Sequence, residues 1–330
     1  MMKDLLIYKK IISFYFFLSC LRNIKVKYLA FILLFFFLLD SMFFITSQRD
    51  INTNSHYIFS FWEPQNSMPE YIKLCIQTWK KYFPIDYKIV ILNYNNLKDY
   101  ISYKLINKIL SKKMVLQMQA DAIRVAVLLK YGGIWMDCDT IITNSKFMNM
   151  FNGSDLFMFG SSKENIIYTG FIYASKNSQF IKIWFDRIIK RMRIYKKRQF
   201  LKHIFPLKIF IKYFKKSLRW DFLGNGIINK IVRNSSKKSF TLIERDKANA
   251  LPEVFLYTNN LSKSYQDFYF TPGDPDPILK KCKGVLLLHN SWTESKFRKM
   301  SKKEFLHQDI MLVRLLSRIL SNDSLIADLE

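Results

Sequence analysis

An open α/β sheet preceded by one membrane-crossing helix is the architecture this sequence predicts, and three observations predict it. From residue 55 onward, short apolar runs of strand length alternate with longer segments in which apolar residues recur at helical spacing. Half of the 330 residues are hydrophobic, enough to bury a substantial core in one generous domain or two small ones. Ahead of this pattern, Tyr28 to Thr46 reads YLAFILLFFFLLDSMFFIT, close to the roughly 20 apolar residues that span a bilayer as a helix.

The stretch over 28–46 is too long for the apolar part of a signal peptide, and no small-x-small cleavage site follows it. Asp40 costs roughly 2.5–3.5 kcal/mol in hydrocarbon, which the surrounding Leu, Ile and Phe outweigh. Residues 1–27 form a basic and apolar lead with Lys3, Lys9, Lys10, Arg22, Lys25 and Lys27, against Arg49 downstream, so the N-terminus is expected in the cytoplasm. A single span then exports the rest of the chain. A second apolar stretch, Ile11 to Leu21, paired with the first as a hairpin or lying in the interface, keeps it inside. Membrane association is the expectation, with the side of the main domain left open; a buried core helix is the alternative for 28–46.

The main domain is expected over 55–300. His56 to Trp62 is a short apolar and aromatic strand closed by Glu63-Pro64, and a helix follows from about Pro69 to Phe83, with Ile72, Cys75, Ile76 and Trp79 at helical spacing. Pro84 stops it. Tyr87 to Leu92 is a second strand, and helical stretches run over Leu97 to Leu110 and Val115 to Tyr131, where Gly132-Gly133 supplies the C-terminal cap. Ile134 to Met136 is a third strand that delivers the chain to Asp137. Further strands are expected at Leu156 to Phe159, Tyr168 to Ala174 and Val285 to His289, and a C-terminal helix over 301–330. In such sheets ligands bind beyond the carboxyl ends of the strands, where Asp137 sits.

The formal net charge of +26 calls for an anionic partner: nucleic acid, phospholipid headgroups or a phosphorylated substrate. A base-composition bias that raises Lys, Asn, Ile and Phe together is the alternative source of the excess. Arg187 to Arg219 holds thirteen Lys or Arg and no acid, interleaved with Ile, Phe, Leu and Tyr. This 187–219 segment reads as a basic amphipathic insertion for an anionic membrane surface, or as a solvated helical face beside the core. No glycine-rich or aromatic RNA-binding signature accompanies the charge, so nucleic acid is not an expected partner. Cys20, Cys75, Cys138 and Cys282 lie far apart without a C-x-x-C pair, and the four histidines are scattered. Buried, reduced thiols are expected, and a zinc hydrolase is disfavoured.

Two D-x-D triplets are present. Asp274-Pro275-Asp276 lies in TPGDPDP, whose prolines and glycine spell a structural turn. Asp137-Cys138-Asp139 follows a strand, so alternation is expected to put both carboxylates on one side and Cys138 on the other. Such hard oxygen ligands suit Mg²⁺ or Mn²⁺, which bind one or two carboxylates together with substrate phosphates, and a metal-bridged diphosphate is a better leaving group. Asp121 and Arg124 are neighbours on one helix face, either a simple ion pair or part of the same site.

The run from Ala120 to Asp139, ADAIRVAVLLKYGGIWMDCD, resembles the S-D-x-x-R-x-x-x-L-x-x-Y-G-G-x-Y-x-D-x-D signature of DxD-containing sugar transferases. These include glycosyltransferase family 32, the capsular polysaccharide synthesis proteins and, more distantly, the large clostridial glucosylating toxins. Tyr57 to Trp62 is similar to the family's first strand, Tyr168 to Ala174 (YTGFIYA) to its N-G-F-I-x-A segment, and Leu288-His-Asn-Ser-Trp292 to its closing H-x-x-x-W-type element. Ala120, Trp135 and Thr169 stand where Ser, Tyr and Asn are usual, and Trp292 follows His289 by three residues. Coverage runs from about residue 55 to 295 and is strongest in the middle.

The resemblance implies a GT-A-type fold, an open mixed sheet flanked by helices, and sugar transfer from a UDP- or GDP-sugar to a saccharide or lipid-linked acceptor in cell-surface polysaccharide or glycan synthesis. It implies retention at the anomeric carbon and a front-face mechanism, in keeping with the absence of an evident nucleophile. Asp137 and Asp139 are then the catalytic pair, with Asp139, Asp137 and His289 as metal ligands. Trp62 stacks on the base, and Asp121, Arg124, Gly170 and Trp292 contact the donor. Two other readings stay open at this level: a non-catalytic, membrane-anchored basic protein that binds an anionic polymer, and a metal-dependent phosphoester hydrolase.

Overall fold

A computed structural model describes residues 56–151, 154–161, 166–204, 221–234, 241–244 and 260–321. The expected basic lead (1–27) and membrane helix (28–46) lie outside these residues, as do 205–219 of the basic segment and 322–330 of the C-terminal helix. Among the described residues no helix is long and apolar enough to cross a membrane.

The N-terminal half runs β1 (His56–Phe61), α1 (Glu70–Tyr82), β2 (Tyr87–Leu92), α2 (Leu97–Tyr100), α3 (Tyr103–Ile109), α4 (Leu116–Tyr131), β3 (Gly133–Met136) and β4 (Thr140–Ile142). There follow β5 (Leu156–Ser161), β6 (Ile166–Ala174), α5 (Gln179–Ile204), α6 (Asn225–Arg233) and β7 (Thr241–Glu244). The chain closes with α7 (Leu261–Tyr269), α8 (Asp276–Lys281), β8 (Val285–Leu287) and three helices, α9 (Ser295–Lys299), α10 (Lys302–Leu306) and α11 (Met311–Leu320).

Among the described residues six strands form one mixed sheet in the order β2-β1-β3-β6-β5-β7. β1 is parallel to both β2 and β3, β6 is antiparallel to β3 and β5, and β7 is parallel to β5. β1 thus has β2 on one side and β3 on the other, so a crevice opens where the strand order reverses, outside the carboxyl ends of β1 and β3. β4 and β8 form a separate antiparallel pair.

Alternation along the strands feeds two cores. Ile58, Ile134, Met136 and Phe171 enter one, packed by α1, β4, β8, α7 and α11 residues such as Trp79, Ile141, Leu286, Tyr265 and Leu315. Tyr57, Phe59, Trp135 and Ile172 enter the other, packed by α4, α5 and α6 through Val125, Trp184 and Ile227. A sheet covered on both faces explains why its central strands read as continuous apolar runs.

Two glycines set the geometry that matters most. α4 ends at Gly132 (φ +67) and β3 begins at Gly133 (φ +93), both left-handed, and a Cβ on Gly132 would lie 2.7 Å from the Lys176 backbone nitrogen. The chain therefore reverses with no loop, and a residue late in β3 comes back beside one early in α4.

Several boundaries differ from expectation for local reasons. The helix expected over 97–110 is broken at Ile101-Ser102, where the Ser102 hydroxyl accepts the Leu105 N–H and caps a new helix. The strand expected to reach His289 ends at Leu287, and the C-terminal helix is two helices, α10 and α11. β4 and β7 are too short to show periodicity. Residues 187–204 continue a helix begun at Gln179. Asp274-Pro275-Asp276 is structural, as its prolines indicate: Asp276 opens α8 and its N–H donates to Asp274 Oδ1 at 3.0 Å. Among the described residues Cys75, Cys138 and Cys282 are buried and form no disulfide.

Candidate active site

The turn from α4 into β3 brings Arg124 against Asp137. Arg124 Nη2 donates to Asp137 Oδ1 at 3.1 Å, while Nη1 lies 3.1 Å from Asp121 Oδ1 one helical turn back. Only the first of these has hydrogen-bond geometry, and among the described residues the buried Nε and Nη1 of Arg124 find no acceptor. The guanidinium also lies over the Trp135 ring, 5.0 Å from its centre, and Trp135 Nε1 donates to Asp137 Oδ1 at 2.9 Å. The tryptophan that stands where the resembled signature has tyrosine thus fixes the same carboxylate that Arg124 holds. The Asp121 and Arg124 side chains are 11% and 4% exposed, against 37% for Asp137, so the open end of the cluster is Asp137.

Burial pushes the Asp121 carboxyl up to about 7; Arg124 opposes the shift, and Asp137 and Asp221 add to it. The turn before α6 covers this carboxyl closely: a Cβ on Gly224 would lie 2.7 Å from Asp121 Cγ. On the other side β6 passes Asp137. Gly170 O accepts the Asp137 N–H at 2.7 Å, and a Cβ on Gly170 would lie 2.6 Å from Asp137 Oδ2.

Asp137-Cys138-Asp139 is a turn between β3 and β4, closed by the Thr140 N–H donating to Asp137 O at 3.0 Å. The alternation expected of a continuing strand is not its cause, yet Cys138 does face inward, its Sγ 3.0 Å from Ser60 Oγ. Asp139 is held from β8 and the following residues: Leu288 N–H donates to its carbonyl at 3.1 Å, and Asn290 N–H to Oδ2 at 2.8 Å. Burial pushes the Asp139 carboxyl up to about 7 and the neighbouring Asp137 charge adds to the rise, against the Asn290 N–H.

Trp62 follows β1 at the crevice. Its backbone N–H donates to Leu92 O at 3.0 Å, and its buried indole N–H finds no acceptor among the described residues. The rings of His289 and Trp292 lie with their centres 4.0 Å apart, tilted by 35°, and both are edge-on to Tyr265. His289 sits between two residues whose backbone holds Asp139, its ring lying in this aromatic group. Among the described residues no group of three or more His, Cys, Asp or Glu side chains is arranged to hold a metal ion.

The oxygens present are nonetheless a hard donor set. Two carboxylates flank one tight turn, and beside burial, the larger cause, the Asp137 charge adds to the rise of the Asp139 carboxyl, which a divalent cation at the turn would counter. Two protein carboxylates with the remaining positions filled by phosphate oxygens and water is a common Mg²⁺ or Mn²⁺ arrangement.

The structure brings Asp121, Arg124, Asp137, Asp139 and Gly170 together, with Trp62 at the neighbouring strand end and His289 and Trp292 behind Asp139. Sequence reasoning missed Tyr71, whose hydroxyl donates to Asn290 Oδ1, and the Asp221–Gly224 turn over Asp121. Asn290 lay within the quoted closing element; Tyr71 gave no signal beyond its apolar helix face.

A family model described as capsular polysaccharide synthesis protein matches residues 21–267. Among solved structures, the glycosyltransferase GlyE of Streptococcus pneumoniae TIGR4 aligns at 13% identity and a TM-score of 0.39, over 82% of this chain and 64% of that one. This chain therefore spans less than two thirds of the GlyE chain. PaToxG Glycosyltransferase aligns at 14% identity and a TM-score of 0.33, over 81% of this chain and 87% of that one. No curated protein matches.

Proposed function

Since the chain belongs to the capsular polysaccharide synthesis protein family, the sugar-transferase type its sequence resembles, we propose that it is a metal-dependent, retaining glycosyltransferase of GT-A type. Its donor is a UDP- or GDP-sugar, and its acceptor a saccharide or lipid-linked glycan in cell-surface polysaccharide synthesis. The observation that carries this reading is the Asp137-Cys138-Asp139 turn, with Arg124 joining Asp137 to Asp121 behind it.

Asp139 and Asp137 are the residues that would hold Mn²⁺ or Mg²⁺, with His289 a third candidate. When bound, such an ion neutralises charge developing on a departing diphosphate. The chain's own groups do the rest. Arg124 and Trp135 hold Asp137 Oδ1, and Oδ2 lies beside Gly170. Trp62 offers an aromatic face for the base at the end of β1. Asp121, buried beside Arg124, keeps that guanidinium from swinging away. Gly170 lets β6 pass Asp137 with no side chain in between. Trp292 offers a further contact behind Asp139.

The test is release of nucleoside diphosphate from UDP- and GDP-sugars with Mn²⁺ or Mg²⁺, run beside Asp139→Ala. Metal-dependent release that the substitution abolishes is expected. Absence of release from every donor would refute the transferase reading and leave the polymer-binding one, whereas release of phosphate from simple phosphoesters would favour hydrolysis.

A further inference from the structure

The sequence marks 187–219 as basic, and the fold turns part of that segment into a surface with a second, distant contributor. α5 buries Phe180, Ile181, Trp184, Ile188 and Met192 against the second core. Its opposite face exposes Lys182, Lys190, Arg193 and Lys197, and Asp186 is the one acid in the helix. Set among these cations are two isoleucines, Ile183 at 43% and Ile194 at 44% exposure. They are eleven residues apart, three helical turns, so they lie on one line about 16 Å long.

α3 and the residues after it lie along the flank of α5. Lys196 Nζ donates to Asn107 O, and Lys113 Nζ donates to Gln199 Oε1 at 3.5 Å. Residues 101–120 contain no acid, and Lys112 and Lys113 are exposed. Two acid-free stretches some eighty residues apart are thereby joined into one positive surface.

We propose that the outer face of α5, with this flank, docks on the anionic headgroups of a lipid bilayer. Each Lys or Arg near such a surface contributes on the order of 1 kcal/mol, and the long apolar stems of lysine allow the helix to lie close. The isoleucines decide between a bilayer and a soluble polyanion. Aliphatic side chains standing in a field of cations gain by entering the headgroup boundary and gain nothing from a hydrated polymer. The proposal is independent of the transferase reading.

The full chain is tested for binding to phosphatidylcholine vesicles with and without phosphatidylglycerol. Because residues 28–46 can hold the chain to either, the measured quantity is the ratio of the two affinities. Wild type is expected to prefer the anionic vesicles, with a preference that falls as salt is raised. The triple substitution Lys190→Glu, Arg193→Glu, Lys197→Glu is expected to reduce that preference by roughly a hundredfold. Ile183→Ser with Ile194→Ser is expected to weaken vesicle binding while leaving retention on immobilised heparin unchanged. All these side chains are exposed, so thermal melts of the variants should match wild type. Equal wild-type affinity for both vesicles, or an undiminished preference in the triple variant, would overturn the proposal. Vesicle binding that ignores the isoleucines and follows heparin retention would replace it with a soluble-polyanion site.

Discussion

The backbone N–H of Asn290 donates to Asp139 Oδ2 at 2.8 Å, and through it the carboxylate at the end of the D-x-D turn is held by a residue 151 positions later in the chain. The Asn290 side chain is anchored in turn, accepting from the hydroxyl of Tyr71 on α1. Three distant segments therefore converge on one carboxylate oxygen.

Tyr71 is buried, and burial holds its phenol well above the ordinary tyrosine range, so the hydroxyl is a donor at any working pH. Tyr71→Phe removes a hydrogen bond worth about 1 kcal/mol and frees the Asn290 amide to turn. The expected result is a roughly fivefold to tenfold fall in donor turnover with a higher metal concentration at half-maximal rate. A changed melting temperature with an unchanged metal requirement would show that the pair only supports the fold.

Gly170→Ala tests the other side of the site. The added methyl would meet Asp137 Oδ2 at 2.6 Å and the Tyr168 hydroxyl at 2.5 Å, both side-chain ends that move more cheaply than backbone. The fold should survive while Asp137 is pushed off Arg124. On the proposed reading Asp137 helps hold the metal, and misplacement within a site is costly, so activity is expected to drop more than about tenfold, with a melting temperature within a few degrees of wild type. An active Gly170→Ala enzyme would show that the Asp137 carboxylate tolerates displacement.

Asp121 gives a pH dependence of stability. Its folded pKa of about 7 lies above the ordinary 3.8, so the folded chain binds the proton more tightly than the unfolded one. Stability from this group is fully present below about pH 4 and is lost as pH rises through about 7. Thermal melts of the metal-free chain should therefore fall over that window, with a shallower slope in Asp121→Asn. An identical slope in the variant would mean that Asp121 is ionised throughout. Asp139, raised in the same direction, contributes to the same fall and remains in the variant.

How much of this was legible follows from the range of the interactions. Strands β1, β2 and β3 and helices α1 and α4 announce themselves by periodicity and by Pro84 and Gly132-Gly133, because those signals are local. The pairing of Asp121 with Arg124 is likewise local, one turn of helix. The link from Arg124 to Asp137 could be suspected only because two glycines leave no room for a loop. Tyr71 and Gly224 reach the site through tertiary packing, and no spacing in the sequence encodes their approach, whereas Asn290 was brought near it only by the resemblance of Leu288 to Trp292 to the closing element. β4 escaped notice because three residues carry no measurable alternation, yet it pairs with β8 and so brings Asn290 to Asp139. The membrane helix was read from the length of one apolar run and the charges that flank it, and it falls outside the described residues.

Arg124→Lys separates charge from geometry. A lysine keeps the positive charge, but its single ammonium cannot span Asp121 and Asp137 in the plane that also stacks on Trp135. The loss of one charge-assisted hydrogen bond is worth about 1.5–3 kcal/mol, so donor turnover should fall by roughly tenfold to a hundredfold. Because the charge is retained, the two acids stay compensated and the melting temperature should change less than in Arg124→Ala, which strands both of them beside an empty space. Equal activity in Arg124→Lys and wild type would show that Asp137 needs only a nearby cation and not the fixed orientation given by Arg124 and Trp135.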